Sequence, residues 1–393
     1  METPYFLIHT GLLEENYHAF DRALNACWGR HRIAYSVKTN SLPFVLQFLH
    51  ERGAMAEVVS DDEYALAELC GFAPEEIVFN GPIKGKDCFL NAVLSGARVH
   101  MDSRRELDWL DLLPQNRLFS VGLRVNLDLP SLCSQDVGLE GEGYRFGFSY
   151  ENGDLAWALS RLGAHKNLRL GGLHLHCNSI TRSPRVYGFM ARKTADICRE
   201  FGLLPDYVDM GGGFFGGVPG KPAPEEYVQA MAEPLQKALD PKKTELVIEP
   251  GSALIGSAAD LVTTVLDVKE NLYGRIVTTD GGRVNLDPLW KKERYTYEVS
   301  APKRASVPLQ IVCGYTCMDH DRIMRLVDAP ALEPGDIITY KRVGAYTMTF
   351  ESMFIRRHPE VYAETDGHLR LIRSKPSMET FKALLEVPSM EER

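Results

Sequence analysis

Ala34-Tyr35-Ser36-Val37-Lys38-Thr39-Asn40 closes a short apolar run on one lysine and passes at once to residues that start helices. Ile33 to Val37 reads as a buried strand, because it is short, partly β-branched and aromatic, and ends on polar residues. Asn40 or Ser41 then caps a helix through Leu42 to Leu49, with Pro43 in its first turn. Taken alone, the pattern describes a surface lysine at a strand end. At the C-terminal end of a parallel barrel strand the same amine stands at the catalytic face, where desolvation can make it a nucleophile. The rest of the chain decides between the two.

Downstream, strand patterns recur at Met55 to Val59, Ile77 to Phe79, Val99 to Met101, Phe119 to Val125, Leu168 to His174, Tyr207 to Met210 and Glu245 to Ile248. Helical patterns separate most of them, notably Asp62 to Leu69, Lys86 to Ser95, Leu155 to Leu162, Pro184 to Phe201 and Glu225 to Leu239. With the lysine strand these make eight strand–helix units over about 250 residues, which predicts an α/β fold, a (β/α)8 TIM barrel. No glycine-rich dinucleotide fingerprint follows the first strand. Beyond Gly251 short β-type runs (Val262 to Val268, Gly274 to Thr279, Leu309 to Val312, Ile337 to Lys341, Leu369 to Ile372) predict a second, all-β C-terminal domain. The expected division is a barrel over 11–252, and a β-sandwich or β-barrel domain from 1–10 and 253–393 that completes the active site. Lys291 to Arg304 reads as a loop or edge hairpin, and Glu379 to Leu385 as a helix before a fraying charged tail.

The 393 residues are 45% hydrophobic and carry a net charge of -9, which gives no electrostatic reason to bind nucleic acid or an anionic membrane. Eight scattered cysteines show no paired metal-ligand spacing, and no apolar run approaches the roughly 20 residues of a membrane helix. A reduced, cytoplasmic protein is expected, without a metal.

Chemistry gathers at the ends of the barrel strands. In Gly172-Leu173-His174-Leu175-His176 the two histidines point to one face of an extended strand; His176, nearer the end, suits stacking on a planar ring, and His174 a packed position one layer deeper. Gly211-Gly212-Gly213 follows the seventh barrel strand, where bare backbone N–H groups suit a phosphate. Glu249, in Glu249-Pro250-Gly251, can pair with a protonated pyridine nitrogen and keep the ring an electron sink. Each piece has an ordinary structural explanation alone. Together they describe a pyridoxal phosphate site.

The chain resembles the fold type III, alanine-racemase-like group of pyridoxal phosphate decarboxylases, which includes the diaminopimelate, ornithine and arginine decarboxylases. The matching pieces are Tyr35 to Asn40, Gly172 to Ser179, Asp209 to Phe214, Glu249 to Gly251, Gly314-Tyr315-Thr316-Cys317 and Gly344-Ala345-Tyr346, in family order over nearly the whole length. The resemblance implies that Lys38 carries the cofactor through an imine, that His176 stacks on its ring and that Glu249 pairs with its nitrogen. Ser179, Gly211, Gly212, Gly213 and Gly251 would hold the phosphate, with Tyr346 reaching it or the imine. It also implies a homodimer with shared active sites, in which Cys317 returns the proton after carbon dioxide departs.

Two departures from the family pattern bear on the substrate. Ser252 stands where an arginine usually follows Glu-Pro-Gly, so the phosphate lacks a cation. Met318 stands where an acidic residue usually follows the cysteine, leaving Asp319 or Asp321 to meet a distal ammonium, with Arg145 a further substrate-side residue. This variant resembles decarboxylases of siderophore pathways, which act on citryl-diamino acid conjugates; the basic residues of Lys291 to Arg304 suit a citryl carboxylate. Decarboxylation of a free diamino acid, racemisation on the same fold, and a non-catalytic regulator are the rival readings.

Overall fold

The computed structural model describes residues 1–138 and 142–386; the last seven residues of the expected second domain lie outside these. The chain divides into two units, Glu14–Leu254 and Met1–Leu13 with the chain from Ile255 onward. Both divisions fall inside helices, Thr10–Cys27 and Ser252–Ile255, two or three residues from the expected positions. Continuous helical hydrogen bonding leaves no turn signal at such a point.

β1 (Tyr5–His9) belongs to the second unit. The first unit contains β2 (His31–Ser36), β3 (Met55–Val58), β4 (Ile77–Phe79), β5 (Arg98–Met101), β6 (Phe119–Asn126), the two-residue β7 (Phe148–Ser149), β8 (Leu168–Leu175), β9 (Tyr207–Asp209) and β10 (Glu245–Ile248). Parallel pairing runs β2-β3-β4-β5-β6-β8-β9-β10 and returns from β10 to β2, so eight strands close into a barrel. β7 lies outside the ring, paired to β6. Ala34, Met55, Val78, Tyr207 and Val247 form one buried apolar cluster of these strands. Gly172 is glycine because the Tyr207 ring occupies the space a Cβ would need.

β2 stops at Ser36, one residue earlier than expected, and Lys38 sits in a single 3-10 turn, Val37–Thr39. The next helix runs Pro43–His50 with Pro43 at its start. Leu42, not Asn40 or Ser41, takes the cap position, and no side chain caps it. Asn40 instead accepts from the Leu42 N–H at 3.2 Å, bracing the approach.

The second unit is a nine-stranded sheet: β1 with β11 (Ala259–Asn271), β12 (Gly274–Thr279), β13 (Thr296–Ser300), β14 (Ser306–Cys313), β15 (Arg322–Pro330), β16 (Ile337–Lys341), β17 (Glu360–Thr365) and β18 (His368–Arg373). β1 lies between β11, antiparallel, and β17, parallel. The basic stretch expected as a loop or hairpin contains β13, an exposed strand on β16. β15 and β17 escape the sequence reading because charged and apolar residues mix along half-exposed strands. No helix among the described residues is long and apolar enough to cross a membrane.

Candidate active site

The C-terminal ends of the barrel strands carry a layer of buried polar groups where a barrel interior is ordinarily packed with aliphatics. Glu57 comes from β3, Asn80 from just past β4, His100 from β5, Arg124 from β6, His174 from β8, Asp209 from β9 and Glu249 from just past β10. Lys38 sits at the same end of β2.

The Lys38 ammonium donates to Glu57 Oε2 at 2.6 Å and to Ser36 Oγ at 2.8 Å, and its side chain remains 39% exposed. Ser36 Oγ donates to the same Glu57 oxygen at 2.6 Å. The amine thus has an ionic partner and stays partly exposed, where the sequence reading invoked desolvation.

Asn80 organises the centre. Its amide nitrogen donates to Glu57 Oε1 at 3.1 Å and to Glu249 Oε1 at 2.5 Å, so its carbonyl oxygen is left to accept from His100 Nδ1 at 2.6 Å. That assigns the proton of His100 to Nδ1. His100 stacks on His174 at 4.8 Å, and His174 Nε2 lies 3.5 Å from Glu249 Oε2. Burial pushes both imidazoles well below their ordinary range, so both are neutral. Burial, and then the charge of Glu249, drives the Asp209 carboxyl well above the usual carboxylate range.

His100, Asp209 and Glu249 place ligand atoms within 4.8 Å of one another, a grouping the sequence reading missed. Burial favours the protonated form of Asp209, whose Oδ1 accepts from the Gly211 N–H at 2.9 Å, and Glu249 is bound by Asn80.

His176 follows β8 directly and accepts at Nδ1 from the Gly212 N–H at 3.1 Å. Burial and the nearby Arg124 guanidinium push its pKa down to about 3, so a neutral ring is held in one orientation. Gly211 and Gly213 take left-handed conformations, φ +64° and +94°. A Cβ on Gly212 would overlap the Glu249 carbonyl oxygen, and one on Gly251 would overlap Thr39 Oγ1. The glycines therefore bring the turns after β9 and β10 against each other and against the lysine turn. Ser179 is buried, donating to the Asp136 carbonyl at 3.1 Å and accepting from the Arg182 N–H at 3.0 Å. Arg145 is exposed, its guanidinium 4.3 Å from the Phe146 ring centroid.

Within the second unit Cys317 is exposed and Met318 half-buried. Asp321 is buried, and its carboxylate accepts from Thr316 Oγ1 at 2.7 Å and from the Arg283 N–H at 2.9 Å. One oxygen is spent on its own loop and the other on Arg283, which leaves Asp319 as the solvent-facing carboxylate there. Tyr346 has φ +57° and is 37% exposed.

An accessible amine, a buried carboxylate fixed by an amide, an oriented neutral imidazole and a glycine turn define a barrel enzyme whose donor set fits pyridoxal phosphate. The model for the pyridoxal binding domain of pyridoxal-dependent decarboxylases matches residues 10–256, and the chain belongs to that family. It is a pyridoxal phosphate-dependent carboxy-lyase.

Among relatives, the diaminopimelate decarboxylase of Aquifex aeolicus is 26% identical over 99% of this chain and 92% of its own. An L-glutamyl-[BtrI acyl-carrier protein] decarboxylase of Niallia circulans is 27% identical over 95% and 91%. Among solved structures, the diaminopimelate decarboxylase of M. jannaschii superposes with a TM-score of 0.88 at 22% identity, covering 99% of this chain and 93% of that one. That of Helicobacter pylori, complexed with L-lysine, gives 0.84 at 24%, covering 98% and 97%. Both share the fold.

Proposed function

We propose that this enzyme removes a carboxylate from a free diamino acid of the diaminopimelate class. The observation that carries the reading is the end-to-end similarity to diaminopimelate decarboxylases, with more than nine-tenths of both chains aligned. Pyridoxal phosphate, when bound, supplies the electron sink for the pair left by the departing carboxyl group. Lys38 would hold the cofactor, and Glu57, which already accepts from its nitrogen, would keep that amine in place when it is free. Glu249, steadied by Asn80, keeps a proton on the ring nitrogen; His176 supports the ring face. The glycine turn, Ser179 and Gly251 hold the phosphate. Cys317 would supply the proton, and Tyr346 and Asp319 would serve the cofactor and substrate ends. Two copies act together as a homodimer, and the eight unpaired thiols support a reducing, cytoplasmic setting.

Met318 favours a second reading, decarboxylation of a conjugate whose distal amine is no longer charged, since no carboxylate occupies that position. The Niallia circulans relative is named for a carrier-bound amino acid, although none of the relatives above supports a siderophore substrate. Carbon dioxide release from meso-diaminopimelate, lysine, ornithine and a citryl-diaminopropionate conjugate separates the two. A free diamino acid turned over fastest supports the first reading; a clear preference for the conjugate replaces it with the second.

A further inference from the structure

Three loops of the barrel unit converge beside the glycine turn: the one after β8 (Cys177 to Ser183), the one after β9 (Met210 to Gly217) and the one after β10 (Glu249 to Ser252). Ser252 leaves this place without the cation its position would otherwise provide. A guanidinium arrives from a different loop: Arg182 Nη1 lies 3.4 Å from Ser252 Oγ. We infer that Arg182 supplies the positive charge for the phosphate of pyridoxal phosphate, a duty moved from the β10 loop to the β8 loop. The inference rests on the reading of this site as the cofactor's.

The backbone is built to hold that arginine. Arg182 has φ +51°, in the left-handed region where a non-glycine residue is uncommon. Its N–H donates to Ser179 Oγ at 3.0 Å, and its carbonyl accepts from Tyr227 Oη at 2.7 Å. The same tyrosine oxygen accepts from the Phe215 N–H at 3.4 Å, so one hydroxyl ties the arginine loop to the glycine loop. A second link runs from Tyr187 Oη to the Gly212 carbonyl at 2.9 Å. The guanidinium carbon sits 5.1 Å from the Phe215 ring centroid, which restricts where the side chain can swing.

Nor do the described residues give it an acidic partner. Arg185, three residues on, is matched by Asp136, with Nε donating to Oδ2 at 3.1 Å. Among the described residues no carboxylate lies within 4.0 Å of the Arg182 guanidinium. A guanidinium fixed by its backbone, half-buried and lacking an acidic partner, is suited to a phosphate dianion. Lys221 reaches the same Phe215 ring, at 5.0 Å, but is exposed and serves as the control.

The test is the affinity of the cofactor-free protein for pyridoxal phosphate and for pyridoxal, which lacks the phosphate, each titrated by visible absorption. Arg182→Gln is expected to weaken pyridoxal phosphate about tenfold or more while leaving pyridoxal within about twofold. Arg182→Lys should lose less, Lys221→Ala nothing, and Ser252→Arg added to Arg182→Gln should restore most of the preference. An unchanged preference in Arg182→Gln, or an equal loss for both ligands, overturns the assignment while the cofactor site stands. A wild-type protein that binds neither ligand overturns the site reading itself.

Discussion

The Asn80 amide nitrogen donates to Glu249 Oε1 at 2.5 Å. The same nitrogen reaches Glu57 Oε1, so one neutral side chain spaces two buried carboxylates, one facing the lysine and one the expected ring nitrogen. Asn80→Ala strips a donor from both and an acceptor from His100. The expected loss is about 1–3 kcal/mol of folding stability, from buried groups left unsatisfied. Asn80→Asp should cost more at neutral pH, because a third carboxyl joins the pair. Urea unfolding of the two variants beside wild type checks both values; a loss below about 0.5 kcal/mol for Asn80→Ala would show that Glu249 is held by something else.

Gly212 and Gly163 make an informative pair. A Cβ at Gly212 overlaps the backbone oxygen of Glu249, whereas one at Gly163, at the end of the helix Asp154–Gly163, meets nothing within 4 Å. Gly212→Ala should destabilise by about 1–3 kcal/mol and weaken cofactor binding by displacing Glu249. Gly163→Ala should be neutral or stabilising by up to about 1 kcal/mol. Thermal unfolding with and without pyridoxal phosphate separates the effects, and equal behaviour of the two variants would remove the packing explanation.

Lys38→Ala tests the amine without removing the structure around it. Glu57 keeps its hydrogen bonds from Ser36 and Asn80, so the fold should persist. Carbon dioxide release should fall by a factor of about 10³ or more, and the visible absorption of the cofactor-loaded enzyme should disappear. A variant that folds, keeps the band and turns over substrate would place the reactive amine elsewhere.

The residues that proclaim themselves in the sequence stand in short local patterns. Lys38 ends an apolar run, His176 and Glu249 end others, and the glycine run is contiguous. What escaped is the layer that connects them, because Glu57, Asn80, His100 and Arg124 are single polar residues contributed by different strands or loops. Closure of the barrel alone makes them neighbours. One signal was available: Glu57 interrupts Met55-Ala56-Glu57-Val58-Val59, and a carboxylate inside so apolar a strand needs a buried partner. The second unit was less legible, since β13, β15 and β17 face solvent along part of their length and their charged residues blur the alternation.

His100 and His174 on one side and Asp209 on the other give the folded protein opposite responses to pH. The histidines are held well below 6.5 in the folded state by burial, so the stability they contribute is present above about 6.5 and is lost as pH falls from there. Asp209 is held well above 3.8, chiefly by burial, so its contribution is complete below that value and is lost as pH rises through its folded pKa. Urea unfolding from pH 5 to 9 should therefore show an acid limb below about 6.5, where the histidines' rise with pH opposes the fall from Asp209, and an alkaline limb above it, where of the three only Asp209 contributes, up to its folded pKa. His174→Gln should flatten the acid limb between pH 6.5 and 5 by up to about 1.4 kcal/mol per pH unit, one proton's worth, and leave the alkaline limb alone. Asp209→Asn, which keeps an acceptor for the Gly211 N–H, should flatten the alkaline limb and steepen the acid one, where the wild-type carboxyl works against the histidines. If His174→Gln keeps the wild-type slope below pH 6.5, the stacked imidazoles are not the buried neutral pair their surroundings require.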